Sequence, residues 1–241
     1  MDKRVLVMLL CLVSIVFVTS GVLATPNGAS VNELKSETAP TDNAGSRNAF
    51  AGNVTELTIS GYSTTQSWQG YFGNVSGVIQ LADGGDSVMY NWSQATAEGE
   101  VYAVNQTTVS WTSVVCFDFL STTELNVSLL ENDFNINSSD VDGIDETFNL
   151  NNHAQFAVGT TSFTSGECNN TKVFDDSGTG AFDEVLLYDN TNDIPIFVSI
   201  LDDDTTGFDG ASHDFEMLVL EDGHNGDSST TPYYFYVELN A

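Results

Sequence analysis

Ile194-Pro-Ile-Phe-Val-Ser-Ile-Leu201 carries apolar side chains at both odd and even positions, with Asp193 before it and Asp202-Asp203-Asp204 after it. Such a run has to be covered on both faces, so it reads as the most buried strand of a sheet. Pro195 fits because the start of a strand needs fewer ladder donors. Outward from this stretch the chain alternates. Leu57 and Ile59 interleave with Glu56, Thr58 and Ser60, and Val88, Tyr90 and Trp92 with Met89, Asn91 and Ser93. Val109, Trp111, Ser113, Val115 and Phe117 share one face. Similar runs cover Leu125 to Leu129, Ala154 to Val158, Phe215 to Val219 and Tyr233 to Leu239. Period two between Gly, Asn and Asp turns predicts antiparallel strands with one solvated face, and no stretch past Lys35 shows a convincing 3.6-residue period. The expectation is an all-β fold, an antiparallel β-sandwich (Ig-like or jelly-roll-like) over residues 51–241, as one domain or two subdomains.

Residues 1–24 read as a secretory signal: Lys3 and Arg4, an apolar run from Val5 to Val18, then Val22-Leu23-Ala24 at the cleavage positions. The competing reading is an uncleaved anchor, since Val5 to Leu23 is just long enough to span a bilayer. Cleavage after Ala24 leaves no further span of that length. Residues 25–50 are rich in Ala, Asn, Thr, Ser and Asp, with Val31 and Leu34 almost the only large apolar groups, and read as a flexible segment.

Past residue 24, three basic residues (Lys35, Arg47, Lys172) face 33 acidic ones. That balance excludes nucleic acid and anionic membranes as partners. It suits high salt, bound divalent cations or a hydrated wall surface. Cys116 and Cys168 read as one disulfide in an exported protein, with two separate buried thiols as the alternative.

Seven sequons follow the signal: Asn53, Asn74, Asn91, Asn105, Asn126, Asn137 and Asn169. They predict N-linked glycans on an extracellular or cell-surface protein. Asn91 and Asn126 stand opposite in phase to apolar neighbours, which places both on solvated strand faces. If all seven carry sugar, little bare surface is left for a cleft or a broad interface.

Acidic clusters at predicted turns suggest structural calcium, which takes six to eight oxygens on concave loops. Asp140, Asp142 and Asp145 come nearest to a calcium-loop spacing; Asp175, Asp202 and Asp204 mark the other patches, with the solvated acidic turn as the plain alternative. His153, His213 and His224 are well separated, and neither G-x-S-x-G nor H-E-x-x-H accompanies them, so no enzyme is expected. Tyr234 and Tyr236, out of phase with Phe235 and Val237, are the best candidates for an exposed aromatic face.

Three strings carry a family likeness: Ser67-Trp-Gln-Gly-Tyr-Phe-Gly-Asn-Val-Ser-Gly77, Asp214-Phe-Glu-Met-Leu-Val-Leu-Glu-Asp-Gly223 and Pro232-Tyr-Tyr-Phe-Tyr-Val-Glu-Leu239. They resemble motifs of secreted, sequon-rich surface proteins of archaea. The resemblance implies an envelope or appendage component that self-associates into a homopolymer or joins other envelope proteins. Some archaeal filaments in that group are β-domains that donate an N-terminal strand to the next subunit, a part open to Val54 to Ser60. That segment pairs either within its own domain or in trans. The second reading of the chain is a calcium-dependent adhesin or carbohydrate-binding module.

Overall fold

A computed structural model describes residues 25–94, 96–120, 125–173, 180–222 and 229–240. The expected signal, Asp175 and His224 lie outside the described residues.

The core is built on β11 (Ile194–Ile200). Its even residues Ile194, Ile196 and Val198 enter one apolar cluster, and Phe197 enters another on the opposite face. Two faces buried is what the unbroken apolar run requires. β11 pairs antiparallel with β10 (Phe182–Asp189) on one side and β5 (Gly99–Val104) on the other. Pro195 sits opposite Tyr188 of β10, while pairing with β5 begins only at Phe197. Its missing N–H therefore costs little.

Beyond β5 lie β15 (Tyr234–Leu239) and the short β1 (Asn27–Gly28). Beyond β10, β6 (Val114–Cys116) and β9 (Asn170–Val173) share one edge. Every pairing is antiparallel. Gly99 opens β5 at φ +128°, and a Cβ there would sit 2.0 Å from the Glu238 carbonyl oxygen, so only glycine fits. The Cys116–Cys168 disulfide, with Cα atoms 5.2 Å apart, ties β6 to the chain entering β9.

Each face of this sheet is covered. One carries β2 (Trp68–Gly73) paired with β14 (Phe215–Leu220), together with α1 (Val127–Asp133) and α2 (Ile144–Thr147). The other carries the hairpin of β7 (Phe156–Val158) and β8 (Thr161–Phe163), with Trp111 over Tyr102 and Tyr236. The fold is therefore an all-β, antiparallel, sandwich-like arrangement, as the alternation predicts. A further hairpin, β3 (Val78–Ala82) with β4 (Val88–Ser93), and the two-residue pair β12 (Thr205–Thr206) with β13 (Ser212–His213) complete the elements.

Three local expectations are corrected. Leu125 to Leu129 is not a strand: Asn126 caps α1, its Oδ1 accepting the Leu129 N–H at 3.0 Å. The buried apolar residues there are Leu130 and Phe134, four apart, while Leu129 is exposed, so the apolar face follows the helical period. The strand read around Val109 to Phe117 shrinks to β6. Asp189 accepts the Ser110 N–H at 2.7 Å and the Ser113 N–H donates to the Ser110 carbonyl at 2.9 Å, so the chain turns at residues 111–113 and residues 108–110 lie in no strand. Val54 to Ser60 lies in no strand at all.

Candidate functional site

Every residue from Ser30 to Gln66 is exposed, and the stretch contains no helix or strand. Both ends are fixed. The Ala29 N–H donates to the Phe235 carbonyl at 2.9 Å, continuing β1 along β15, and the Ser67 carbonyl accepts the Glu221 N–H at 2.9 Å. Val54 is 102% and Ile59 87% exposed, with Leu57 and Phe50 also in the open. Two of the three cations past residue 24, Lys35 and Arg47, fall inside this extension. Residues 25–66 carry four acidic groups against those two, whereas residues 67–241 carry 29 against Lys172 alone.

The small β14–β2 sheet has two dissimilar edges. Side chains of other elements seal the β14 edge. Ser199 Oγ donates to the Glu216 carbonyl at 2.9 Å, Glu184 Oε2 accepts the Leu218 N–H at 2.8 Å, and Tyr233 Oη donates to the Leu220 carbonyl at 2.8 Å. Glu184 and Ser199 are cross-strand partners on β10 and β11, so the central sheet itself presents these caps. Burial drives the Glu184 carboxyl well above the usual carboxylate range. The outer edge of β2 pairs with no strand among the described residues.

The sequons fall into two groups. Asn53, Asn74, Asn91 and Asn137 are exposed. Asn105, Asn126 and Asn169 are half-buried and tied into the fold: Asn105 Oδ1 is buried without a partner, Asn126 caps α1, and Asn169 Nδ2 donates to the Phe148 carbonyl at 2.9 Å. Asn126 is thus half-buried at a helix start instead of solvated on a strand face, which corrects the expectation. Asn91 is solvated as expected, but Tyr90 and Trp92 opposite it are exposed too.

Several acidic side chains do structural work. Asp140 accepts the Asn137 N–H at 2.8 Å and Asp142 the Thr65 hydroxyl, while the Asp142 carbonyl takes the Trp68 indole N–H at 2.6 Å. Asp202 and Asp204 are exposed; neighbouring Asp203 and Asp214 accept the N–H groups of Ala97 (2.6 Å) and Val75 (2.7 Å). Of the five calcium-ligand candidates among the described residues, Asp140, Asp142, Asp145, Asp202 and Asp204, only Asp145 joins a convergent group. Its companions are Glu146 and Glu131, the ligand atoms all within 4.8 Å of one another. Gly143 makes room, since a Cβ there would meet Glu146 Oε2 at 2.4 Å and Glu131 Oε1 at 3.0 Å. Burial, then Asp145 and Asp140, push the Glu131 carboxyl up; hydrogen bonding with Asp145, then burial, does the same for Glu146. Glu131 comes from α1, so no local spacing could have joined it to this loop. Three converging carboxylates suit a proton or a hard cation.

The two described histidines are occupied. His153 Nδ1 bonds the Ala154 carbonyl at 2.6 Å, and Nε2 accepts the Cys168 N–H at 3.0 Å. His213 meets Asp209 at 3.0 Å and packs on Phe72. A cleft of about 400 Å³ opens beside Glu98, Glu100, Gln155, Ser162 and Asn240. Behind it, Glu100 and Glu238 receive the N–H groups of Ala157 (3.5 Å) and Gly159 (2.9 and 3.2 Å) and so hold the β7–β8 hairpin to the sheet.

The exposed aromatic face lies elsewhere than expected. Tyr236 is half-buried against Trp111, their rings 5.1 Å apart, although Tyr234 stays 41% exposed. Tyr90 and Trp92 on β4 are the open pair, with ring centroids 4.7 Å apart. The alternation that located β4 also predicted a core beneath these rings, which is why they were not singled out.

No family model, curated protein or solved structure matches this chain.

Proposed function

We propose that the chain is a secreted structural glycoprotein of the cell surface, a subunit of an extracellular filament that grows by donating Val54 to Ser60 to a strand edge of the next copy. One observation carries the reading. A segment with strand alternation stands fully solvated although only seven residues separate it from β2, enough for a hairpin with that strand's open edge. A strand former left unpaired beside an open edge is suited to pairing in trans.

Charge supports the choice of segment. Copies this acidic repel one another, and the extension, with two of the three cations, meets the least repulsion on a neighbour's surface. Length supports it as well. Thirty-seven residues lie between Ala29 and Ser67, and at about 3.4 Å per extended residue the 13 from Val54 to Gln66 reach about 45 Å, close to one domain diameter.

The test is light scattering on purified full-length protein beside Leu57→Asp/Ile59→Asp. Concentration-dependent polymers that the double substitution abolishes, with unchanged thermal unfolding, support the proposal. Equal polymerisation of both proteins contradicts it.

A further inference from the structure

The β3–β4 hairpin is an amphipathic arm that stands outside both apolar clusters of the described residues. Its register places Ile79 opposite Trp92 and Leu81 opposite Tyr90, so these four share one face. Val78, Gln80, Asn91 and Ser93 occupy the other, and past the register shift between Leu81 and Ala82, Val88 pairs with Ala82 on that second face. Among the described residues the hairpin pairs with no other strand, and none of its residues belongs to either apolar cluster. On the shared face Leu81, Tyr90 and Trp92 are each between 50% and 58% exposed, and Ile79 is half-buried.

Its local chemistry is that of a formed hairpin. Asp83 Oδ1 accepts the Gly85 and Ser87 N–H groups, both at 2.9 Å, and Asp86 takes the left-handed conformation that closes the turn (φ 59°). A lone two-stranded hairpin is marginal in water, and this one needs a cover for its apolar face.

We infer that the apolar face of β3–β4 is an interface with a second copy of this chain, the same face of the two hairpins meeting about a two-fold axis. Three observations select that occupant. The two strands carry no charged residue, whereas residues 67–241 hold 29 acidic groups and one basic one, so this is a surface on which identical acidic chains can meet. The four apolar side chains present roughly 400 Å² per copy, so two facing hairpins bury about 800 Å², the scale of a weak, reversible contact. The face is also self-complementary in kind, branched aliphatics on β3 against rings on β4, as an isologous contact demands. The sequon at Asn91 lies on the opposite face, where a glycan leaves the contact free. The inference is independent of strand donation, because an isologous pair closes on itself and cannot propagate.

Sedimentation of the full-length chain in the Leu57→Asp/Ile59→Asp background tests it free of polymerisation. A reversible dimer is expected at concentrations up to roughly 100 µM. Trp92→Glu should weaken it at least tenfold and Gln80→Glu, on the other face, should leave it unchanged. Thermal unfolding should stay constant in both variants, since no hairpin residue belongs to either apolar cluster. A monomer at every concentration, a dimer indifferent to Trp92→Glu, or one equally sensitive to Gln80→Glu overturns the inference. So does a monomer that uses this face to bind uncharged lipid vesicles or oligosaccharides instead.

Discussion

Glu100 and Glu238 stand directly opposite each other on β5 and β15, both buried, and no basic side chain among the described residues pairs with either. Tyr102 Oη donates to Glu238 at 3.2 Å, while Glu100 Oε2 has no partner. Burial and the facing carboxylate lift Glu100 to about 8, and burial also raises Glu238.

This pair sets a pH dependence. The folded protein holds a proton on Glu100 that the unfolded chain releases near pH 4.5, so the stabilising contribution is complete below about 4.5. It is lost progressively as pH rises towards 8. Urea unfolding between those limits should show stability falling with pH by an amount on the order of a few kcal/mol. Glu100→Gln, which cannot ionise, should flatten that slope and be the more stable protein at the alkaline end. An unchanged slope would remove Glu100 as the cause.

Glu184 makes a second, sharper contrast. Its carboxyl substitutes for a strand partner at Leu218 and burial holds it in the neutral form, so Glu184→Gln should preserve the contact with little change in stability. Glu184→Ala strands the Leu218 N–H in the core and opens a cavity, for a loss of about 2–4 kcal/mol. Equal effects in denaturant titrations would mean that the hydrogen bond does not matter.

Removing the disulfide loosens both strands on the outer edge of β10. The two cysteines are 52 residues apart, and for a loop of that size Cys116→Ala/Cys168→Ala should cost about 4 kcal/mol, read as a lowered thermal midpoint.

Sugar occupancy should follow side-chain access. Asn53, Asn74, Asn91 and Asn137 are open, whereas Asn169 uses its Nδ2 on the Phe148 carbonyl and Asn105 and Asn126 are half-buried. Site-resolved mass spectrometry of protein from its own host should find the first four occupied and the other three largely bare.

The legibility of the fold varied with how far each residue's partner lay along the chain. β11, β14 and β15 were visible because local periodicity reports burial, and the cysteines because two export-context thiols have one simple pairing. β10 was not visible. Asp183 and Glu184 break its apolar pattern, and Glu184 is tolerated inside only because β14, more than thirty residues later, supplies the Leu218 N–H. α1 was misread since Leu125, Val127 and Leu129 mimic alternation until Leu130 and Phe134 reveal the true face. Alternation places Tyr90 and Trp92 on a strand, but no local pattern tells that they stand outside both apolar clusters of the described residues.

The central claim is that Val54 to Ser60 completes a sheet in another subunit. Electron cryomicroscopy of the native protein measures this directly. The account predicts filaments in which this segment is hydrogen-bonded along a strand edge of the neighbouring copy. Monodisperse particles, or filaments in which Val54 to Ser60 pairs within its own subunit, would contradict it.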